Sequence, residues 1–419
     1  MFANILMYAQ IVISALPHIH NQILLKIRSR IHYYTYKAVP EPLNIVVIGG
    51  SFGGLTLALE LANTIPTGYR VVLVEKRSHF GYTWVFPRVS VVEGHEHKAF
   101  IPYGPILQSL PQGALILKQG VVVEVSEKRI ILQDGTVFDF EYLAIATGST
   151  GFAPWHQSLE NKTQGMETFQ TMQNSIREAT HLVVIGGGAV GVEIASDAKS
   201  KYPEKQVTLI HSRDTLLNTF GKRLHDHAMQ VFAQLGVNVY LGERVLVEDG
   251  STSLVLKSGK EVPFDLLLQC TGQRPASNIL ATLSSSSISP SGTILVQKTL
   301  QILDPEHPNI YALGDVAKTG GVKMGRAAAL QASVVAQNIR NMIFGKALKD
   351  YQSIPALDSA IDLTLGLTSG AVYFRHGDKE ILLERKKDID LEAGKLWKLL
   401  GAKPFEDEAY VPHCVLRSL

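Results

Sequence analysis

The feature that most constrains the fold is a glycine-rich turn that occurs twice, each time between an apolar strand and an apolar helix. The first copy is IVVIGGSFGGLTLALELA, residues 45–62, and the second is HLVVIGGGAVGVEIASDAKS, residues 181–200. A strand that enters a helix through such a turn leaves the first helical N–H groups free to bind a phosphate. Two copies predict an α/β fold with two Rossmann-like dinucleotide-binding domains.

The three glycines of such a turn have separate roles. The first permits the turn, the second lets a pyrophosphate approach, and the third lets the helix pack on the strand. The second copy is complete, with the glycines Gly186, Gly188 and Gly191. The first copy has serine in the middle, and its predicted cofactor-binding residues are Gly49, Gly50, Ser51, Gly53 and Gly54. Because the serine hydroxyl is a hydrogen-bond donor, we interpret Ser51 as a tolerated variant that still faces a pyrophosphate.

The residue at the end of the strand that follows each turn predicts the bound nucleotide. Glu75 follows Gly49 by 26 residues and can accept hydrogen bonds from a ribose, as an FAD site requires. The corresponding position in the second unit is His211, with Arg213 two residues later. Without a carboxylate to repel a 2′-phosphate, this site is expected to accept NADPH as well as NADH.

The order of the motifs divides the chain into four parts. We expect an N-terminal anchor or targeting segment (1–43), a discontinuous FAD domain (44–149 and 300–345), an NAD(P)H domain (150–299) and a C-terminal α+β segment (346–419). Residues 150–175 are expected to be a crossing segment between the domains. The formal net charge of +2 gives no reason to expect a nucleic-acid partner. Cys270 and Cys414 form no CxxC pair, which excludes a dithiol redox centre, and no metal site is predicted.

The N-terminus departs from the rest of the chain in composition. Residues 1–40 contain no Asp or Glu, and they open with the apolar run MFANILMYAQIVISAL. Pro17 ends this run before the roughly 18 residues that a membrane-spanning helix needs. The basic residues of this region are Lys26, Arg28, Arg30 and Lys37. Three interpretations are open: a monotopic anchor on an anionic membrane, a mitochondrial presequence, or a helix packed on the protein itself. The expected location is intracellular, in the mitochondrion or at a cytoplasmic membrane surface.

Three further motifs give the chain a family resemblance. They are IATGS (145–149), CTG (270–272) and YALGDVA (311–317). Together with the glycine turns, they resemble the two-dinucleotide flavoprotein reductases of the pyridine nucleotide-disulphide oxidoreductase superfamily. Without a CxxC pair, the chain resembles the apoptosis-inducing-factor-like proteins, and above all the ferroptosis-suppressor type of NAD(P)H:quinone oxidoreductase in a fungal version. The resemblance covers about residues 44–400.

The resemblance implies further site residues. It implies that FAD is contacted by Thr147, Gly148 and Asp315. A helix beginning near Lys323 would direct its N-terminal dipole at the flavin. Residues at basic positions of the family would approach the flavin: Arg88 and Lys98. The resemblance also implies a catalytic pair near the nicotinamide, formed by Glu193 and Lys398.

The implied function is that of an FAD-dependent enzyme. Hydride would pass from NADH or NADPH to the flavin, and electrons would pass on to a small-molecule acceptor, with a quinone as the favoured one. The alternatives are a flavin oxidoreductase of secondary metabolism and a non-catalytic effector that binds FAD. Retention of the second glycine turn argues against the effector, because a pure binding module needs no nicotinamide site. The sequence predicts no particular oligomeric state.

Overall fold

The computed structural model describes residues 23–151, 160–248, 250–354, 360–376 and 379–407. Residues 1–22 and Cys414, about which the sequence makes predictions, lie outside this set. The helices of the described part are α1 (23–35), α2 (Phe52–Ala62), α3 (Phe86–Val89), α4 (Gly104–Leu107), α5 (Lys162–Glu178), α6 (Ala189–Lys201), α7 (Lys222–Leu235), α8 (Ala281–Ser284), α9 (Gly325–Ile343) and α10 (Ala393–Leu399).

The strands up to the first crossing between domains are β1 (Leu43–Ile48), β2 (Tyr69–Glu75), β3 (His79–Gly81), β4 (Phe100–Pro102), β5 (Leu115–Gln119), β6 (Val122–Val125), β7 (Arg129–Leu132), β8 (Val137–Asp139), β9 (Tyr142–Ile145) and β10 (Ser149–Thr150). The later strands are β11 (His181–Ile185), β12 (Gln206–Ile210), β13 (Asn238–Tyr240), β14 (Ser253–Val255), β15 (Glu261–Pro263), β16 (Leu266–Gln269), β17 (Arg274–Pro275), β18 (Ile294–Leu295), β19 (Ile310–Ala312), β20 (Ala317–Lys318), β21 (Ile361–Thr364), β22 (Ser369–His376) and β23 (Lys379–Lys386).

Two parallel sheets form the centres of the two domains. The first has the order β19-β9-β1-β2-β5 and the second the order β13-β12-β11-β16. Both contain continuous apolar strands such as IVVI and LVV, which suit a sheet buried on both faces. In each sheet the strand order reverses beside the strand that leads into the glycine turn, and such switch points bind ligands in open α/β sheets. The predicted α/β fold class is therefore confirmed.

The chain passes between the domains through two antiparallel segments. Strand β10 leaves the first domain and pairs with β17, which returns from the second. Helix α5 lies in the region expected to be a crossing segment, and its N-cap Asn161 accepts a hydrogen bond from the Gln164 N–H at 3.0 Å. The sequence of α5 is mostly polar and therefore gives only a weak helical pattern. After the second domain, β19 and α9 complete the first.

The C-terminal segment folds back onto both domains. Strands β21, β22 and β23 form an antiparallel sheet, and α10 follows it. Trp397 of α10 is fully buried, and its indole N–H donates to the Lys98 carbonyl at 2.9 Å. No helix within the described ranges is both long and apolar enough to span a membrane.

Candidate active site

The two glycine turns have the same geometry at their first and third positions. Gly49 has φ +99° and Gly186 has φ +118°, in the region that favours glycine. A Cβ on Gly54 would lie 1.8 Å from the Gly49 carbonyl oxygen, and one on Gly191 would lie 1.9 Å from that of Gly186. The protein's own packing therefore requires these four glycines.

The middle position is different, because nothing in the protein restricts it. Ser51 (φ −81°, ψ −162°) and Gly188 (φ −77°, ψ −179°) both have extended backbone that any residue can adopt. A Cβ on Gly188 would meet no atom within 4 Å. The Ser51 hydroxyl makes no capping hydrogen bond, so it is available to a ligand. The turn containing Ser51 thus retains the geometry of a phosphate-binding turn.

The other first-turn glycines contact neighbouring elements. A Cβ on Gly50 would lie 2.8 Å from the Tyr103 hydroxyl, which donates to the Gly50 carbonyl at 2.9 Å. A Cβ on Gly53 would lie 3.3 Å from that of Ala328 in α9. Gly53 therefore sits where α2 packs on α9, with the N-termini of both helices on the same side of the first sheet.

Glu75 at the end of β2 and His211 just after β12 each accept a hydrogen bond from a backbone N–H of the nearby glycine turn. The Gly50 N–H donates to Glu75 Oε2 at 2.5 Å, and the Gly187 N–H donates to His211 Nδ1 at 3.0 Å. A carboxylate oxygen has a second lone pair for a ribose hydroxyl. Burial lowers the pKa of His211, which favours the neutral ring, and hydrogen bonds with the Asn218 side chain and the Thr215 backbone oppose this fall.

A neutral His211 carries no negative charge that would repel a 2′-phosphate. Arg213 is exposed beside His211, as expected for a site that accepts NADPH. The structure adds Arg244, which sequence reasoning missed. Arg244 follows Glu243, whose N–H donates to the His211 carbonyl at 2.9 Å. No sequence motif marks Arg244, because this adjacency comes from the fold. Tolerance of NADPH stays a prediction.

Asp315 lies in a short 3₁₀ turn after β19, beside the loop that follows β9. The Ser149 hydroxyl donates to Asp315 Oδ2 at 3.3 Å. Burial raises the pKa of Asp315, and the nearby Lys323 ammonium opposes this rise. Helix α9 begins at Gly325, two residues after the predicted start. The carboxylate and the N-terminus of α9 thus occupy the same edge of the sheet as the first glycine turn.

Thr147 and Gly148 occupy the point where the chain leaves the first domain. The Thr147 hydroxyl donates to the Ala276 carbonyl of the returning segment at 2.6 Å. Gly148 has φ +68°, and a Cβ there would meet nothing within 4 Å. Thr147 therefore ties the two crossing segments together, and Gly148 leaves space beside the site.

The expected pairing of Glu193 with Lys398 is wrong. Lys398 is exposed and forms no ion pair within the described residues, whereas Glu193 is buried in α6. The Glu193 carboxylate accepts the Thr364 N–H of β21 at 3.1 Å. Packing of β21 on α6 supplies this partner, while Lys398 lies on the solvent face of α10. A catalytic role for Glu193 stays a prediction, without the lysine.

The buried Glu193 gives a testable pH dependence of stability. Burial raises its pKa to about 8, and the Asp197 carboxylate adds to the rise against the Thr364 N–H. Between the unfolded value of 4.5 and about 8, only the folded state holds the proton. The free energy of unfolding contributed by this group therefore falls as pH rises, by at most about 1.4 kcal/mol per pH unit. In urea unfolding from pH 5 to pH 8, wild type should lose stability relative to Glu193→Gln, because glutamine mimics the protonated carboxyl and does not titrate. Parallel pH profiles would contradict the raised pKa.

Arg88 does not have the predicted role, and Lys98 has a protein partner, so its approach to the flavin stays a prediction. The Arg88 Nε donates to Asp197 Oδ2 at 2.7 Å, and the remaining guanidinium N–H groups bond Asp197 Oδ1 and three carbonyl groups. With the arginine 1% exposed, no donor remains for a flavin. Lys98 pairs with Asp390 at 2.7 Å, so its ammonium turns toward the C-terminal segment. Both side chains join parts of the fold that are distant in sequence.

An aromatic pair lies where α2 and α9 begin. Phe52, next to Ser51, stacks on Trp84 with ring centroids 4.9 Å apart and an interplanar angle of 15°. Arg326 of α9 lies 5.8 Å from the Trp84 ring. Trp84 is 44% exposed, which is unusual for so large an apolar side chain. The pair presents a flat aromatic surface beside the predicted flavin site.

Comparison with known proteins agrees with this geometry. The family model of the pyridine nucleotide-disulphide oxidoreductases matches residues 43–336. Ferroptosis suppressor protein 1 from Xenopus tropicalis is 31% identical over 87% of this chain and 97% of its own length. Fe-regulated protein 8 from Mycosarcoma maydis is 32% identical over 85% of this chain and 94% of its own. The sulfide:quinone oxidoreductase of Aquifex aeolicus shares the fold, with a TM-score of 0.69 at 20% identity over 86% of this chain and 90% of that chain.

The residues present fit the two nucleotides that such a family uses. The first unit offers a free serine hydroxyl, a ribose-accepting Glu75 and the buried Asp315, which suit FAD. The second offers the open position at Gly188, a neutral His211 in place of a carboxylate, and the exposed Arg213, which suit NAD(P)H. The chain belongs to the pyridine nucleotide-disulphide oxidoreductase family and is an FAD-dependent NAD(P)H oxidoreductase.

Proposed function

We propose that the electron acceptor is a quinone. When bound, the flavin accepts hydride from the nicotinamide and delivers electrons to the acceptor. The observation that carries the proposal is the exposed Trp84 ring stacked on Phe52 beside the starts of α2 and α9. Flat aromatic molecules favour offset stacking on such a surface, which also buries apolar area. A quinone ring has the shape and polarity that this surface favours.

The chain's own groups support this assignment in two further ways. Arg326 places a positive charge next to Trp84, where it can stabilise negative charge that develops on a quinone oxygen during reduction. The N-terminus of α9 adds its positive dipole end at the same place. The Aquifex aeolicus enzyme is named for quinone reduction, but at 20% identity the likeness supports only the fold. The proposal therefore rests on Trp84 and its surroundings.

The proposal predicts a selective defect in Trp84→Ala. Loss of the stacking surface should raise the KM for a short-chain ubiquinone analogue by roughly twofold to tenfold, since aromatic pairs contribute about 0.5–1.5 kcal/mol beyond the area that they bury. Reduction of the flavin by NADH should be unchanged. Steady-state assays with quinone and stopped-flow assays without it separate the two steps.

The matched control is Trp84→Phe, which keeps a stacking ring and should retain most of the quinone affinity. A second assay with ferricyanide, which has no aromatic ring, should not distinguish Trp84→Ala from wild type. If the KM for the quinone is the same in Trp84→Ala and wild type, the acceptor binds elsewhere. If ferricyanide reduction falls equally, Trp84 supports the flavin rather than the acceptor.

We also propose that the enzyme works at an intracellular membrane surface, through peripheral association of residues 1–40. A quinone with a long tail resides in the bilayer, so this location would bring the enzyme to its substrate. Support comes from the acid-free N-terminal sequence and from apolar residues that α1 leaves exposed.

A further inference from the structure

Helix α1 is fixed on the first domain by one face. The His32 Nε2–H donates to the Ile65 carbonyl at 2.6 Å, and the Tyr36 hydroxyl just beyond the helix donates to the Tyr69 carbonyl at 2.9 Å. The Lys37 N–H donates to the Thr67 hydroxyl oxygen at 3.1 Å. The helix therefore has a defined orientation, and its opposite face points away from the protein.

That opposite face is apolar. Its side chains and their exposed fractions are Ile23 (53%), Ile27 (53%), Ile31 (60%) and Tyr34 (85%). At about 100° per residue, these four positions lie within an arc of roughly 80° on the helix. We call them the α1 stripe. Lys26 and Arg30 project on one side of the stripe and Arg28 on the other, as in helices that lie in an anionic membrane interface.

A cleft of about 210 Å³ opens beside the stripe. It lies between α1, the residues that follow α2, and the end of α9. Ile31 belongs both to the stripe and to the cleft wall. The polar residues lining the cleft are Arg28, His32, Thr35, Asn63, Thr64 and Arg340.

The cleft carries positive charge without an acid in its wall. Arg28 has no hydrogen-bond or ion-pair partner within the described part of the chain. Arg340 is 8% exposed and gives one N–H to Gln337 at 2.6 Å. Burial lowers the pKa of Arg340, the Arg28 charge lowers it further, and the Glu60 carboxylate opposes both effects. The nearby acid Glu60 accepts a hydrogen bond from the Ser333 hydroxyl and does not line the cleft. Two guanidinium groups that line one cleft favour an anion between them.

His32 supplies an independent observation. Its Nε2–H is used by Ile65, and its Nδ1 is buried without a partner among the described residues. A buried unpaired ring nitrogen costs free energy, which a hydroxyl or acidic proton of a ligand would recover. The phosphate of phosphatidylserine carries acceptor oxygens for the arginines and the neighbouring threonines, and the headgroup ammonium supplies the N–H donor that His32 Nδ1 needs.

We propose that this cleft binds the phosphate group of an anionic phospholipid when the α1 stripe lies on a membrane. Because Ile31 is shared, a bilayer that receives the stripe places its headgroup layer at the opening of the cleft. This lipid site rests on the proposed membrane association of the enzyme. It is independent of the quinone proposal, because lipid binding requires no turnover.

The test is co-sedimentation of the full-length flavoprotein with vesicles of phosphatidylcholine alone and of phosphatidylcholine mixed with phosphatidylserine. Wild type should partition onto the anionic vesicles, and Arg28→Gln should weaken this partition about fivefold, with a larger loss for Arg28→Gln combined with Arg340→Gln. Ile27→Ser should reduce binding to both kinds of vesicle. Matched controls are Lys128→Gln and Leu246→Ser, which change an exposed lysine and an exposed leucine elsewhere and should bind as wild type.

Flavin content and the oxidation of NADH with a water-soluble quinone are measured on every variant. Both should equal wild type in Arg28→Gln, which separates a failure of the lipid site from a failure of the enzyme. If Arg340→Gln unfolds, Arg28→Gln alone decides. Equal vesicle binding by Arg28→Gln and wild type would overturn the proposal. An effect of Arg28→Gln on binding of glycerol 3-phosphate but not of vesicles would identify a site for a free phosphate ester and would overturn it too.

Discussion

Replacement of Gly188 by valine is expected to abolish efficient reduction of the flavin by NADH while the fold and the flavin content stay unchanged. The backbone at Gly188 is extended, and a Cβ there meets no protein atom within 4 Å. The fold alone therefore tolerates a side chain at this position. A dinucleotide does not, because the middle residue of the turn faces its pyrophosphate. Forcing side-chain atoms into this space costs about 1–3 kcal/mol, which raises the KM for NADH roughly 10- to 100-fold.

The two copies of the turn provide matched controls. Gly188→Ser copies the residue found at position 51 and should keep most of the activity. Ser51→Gly should retain the flavin, whereas Ser51→Val, which removes the donor and keeps the bulk, should lose it. Stopped-flow reduction by NADH and the flavin absorbance of the purified variants measure these outcomes. Wild-type reduction in Gly188→Val, or full flavin content in Ser51→Val, would mean that the middle residue does not face the phosphates.

Arg88→Met is expected to cause the largest loss of stability. Arg88 and Asp197 are 1% and 0% exposed, and the guanidinium also bonds the carbonyl groups of Gly366, Leu367 and Asp388. Removing one partner of a buried ion pair leaves an uncompensated charge and costs about 3–5 kcal/mol. Urea unfolding followed by circular dichroism measures the loss. Because Arg88 joins α3, α6 and the C-terminal segment, the variant should also unfold less cooperatively.

The control for Arg88→Met is the double variant Arg88→Met with Asp197→Leu, which removes both charges. It should recover part of the stability, since apolar pairs often replace buried ion pairs at little cost. Lys118→Met breaks the exposed pair with Asp134 and should leave the unfolding midpoint unchanged. If Arg88→Met and Lys118→Met unfold at the same urea concentration, Arg88 does not have the structural role described.

The fold and the two turns were predictable because their causes are local. The apolar runs before Gly49 and Gly186 specify strands, and the glycines specify turns whose conformation other residues cannot adopt. Glu75 was predictable for the same reason, since it ends the strand that follows the first turn.

The wrong predictions concern side chains whose partners lie far away in sequence. Arg88 contacts residues 109 to 300 positions away, and no local pattern contains that information. Glu193 meets Thr364 rather than Lys398 because β21 packs on α6, which depends on how the C-terminal segment folds back. The family resemblance implied an ion pair between Glu193 and Lys398, but Lys398 lies on the exposed side of α10.

A flavin site and a nicotinamide site that work in series in one chain should pass electrons from coenzyme to acceptor. Anaerobic titration of the purified flavoprotein with NADH and with NADPH, followed by a short-chain quinone, measures this transfer. Stoichiometric NADH should bleach the flavin absorbance, and the quinone should restore it. If the protein binds FAD but neither coenzyme bleaches it, the two sites do not work in series.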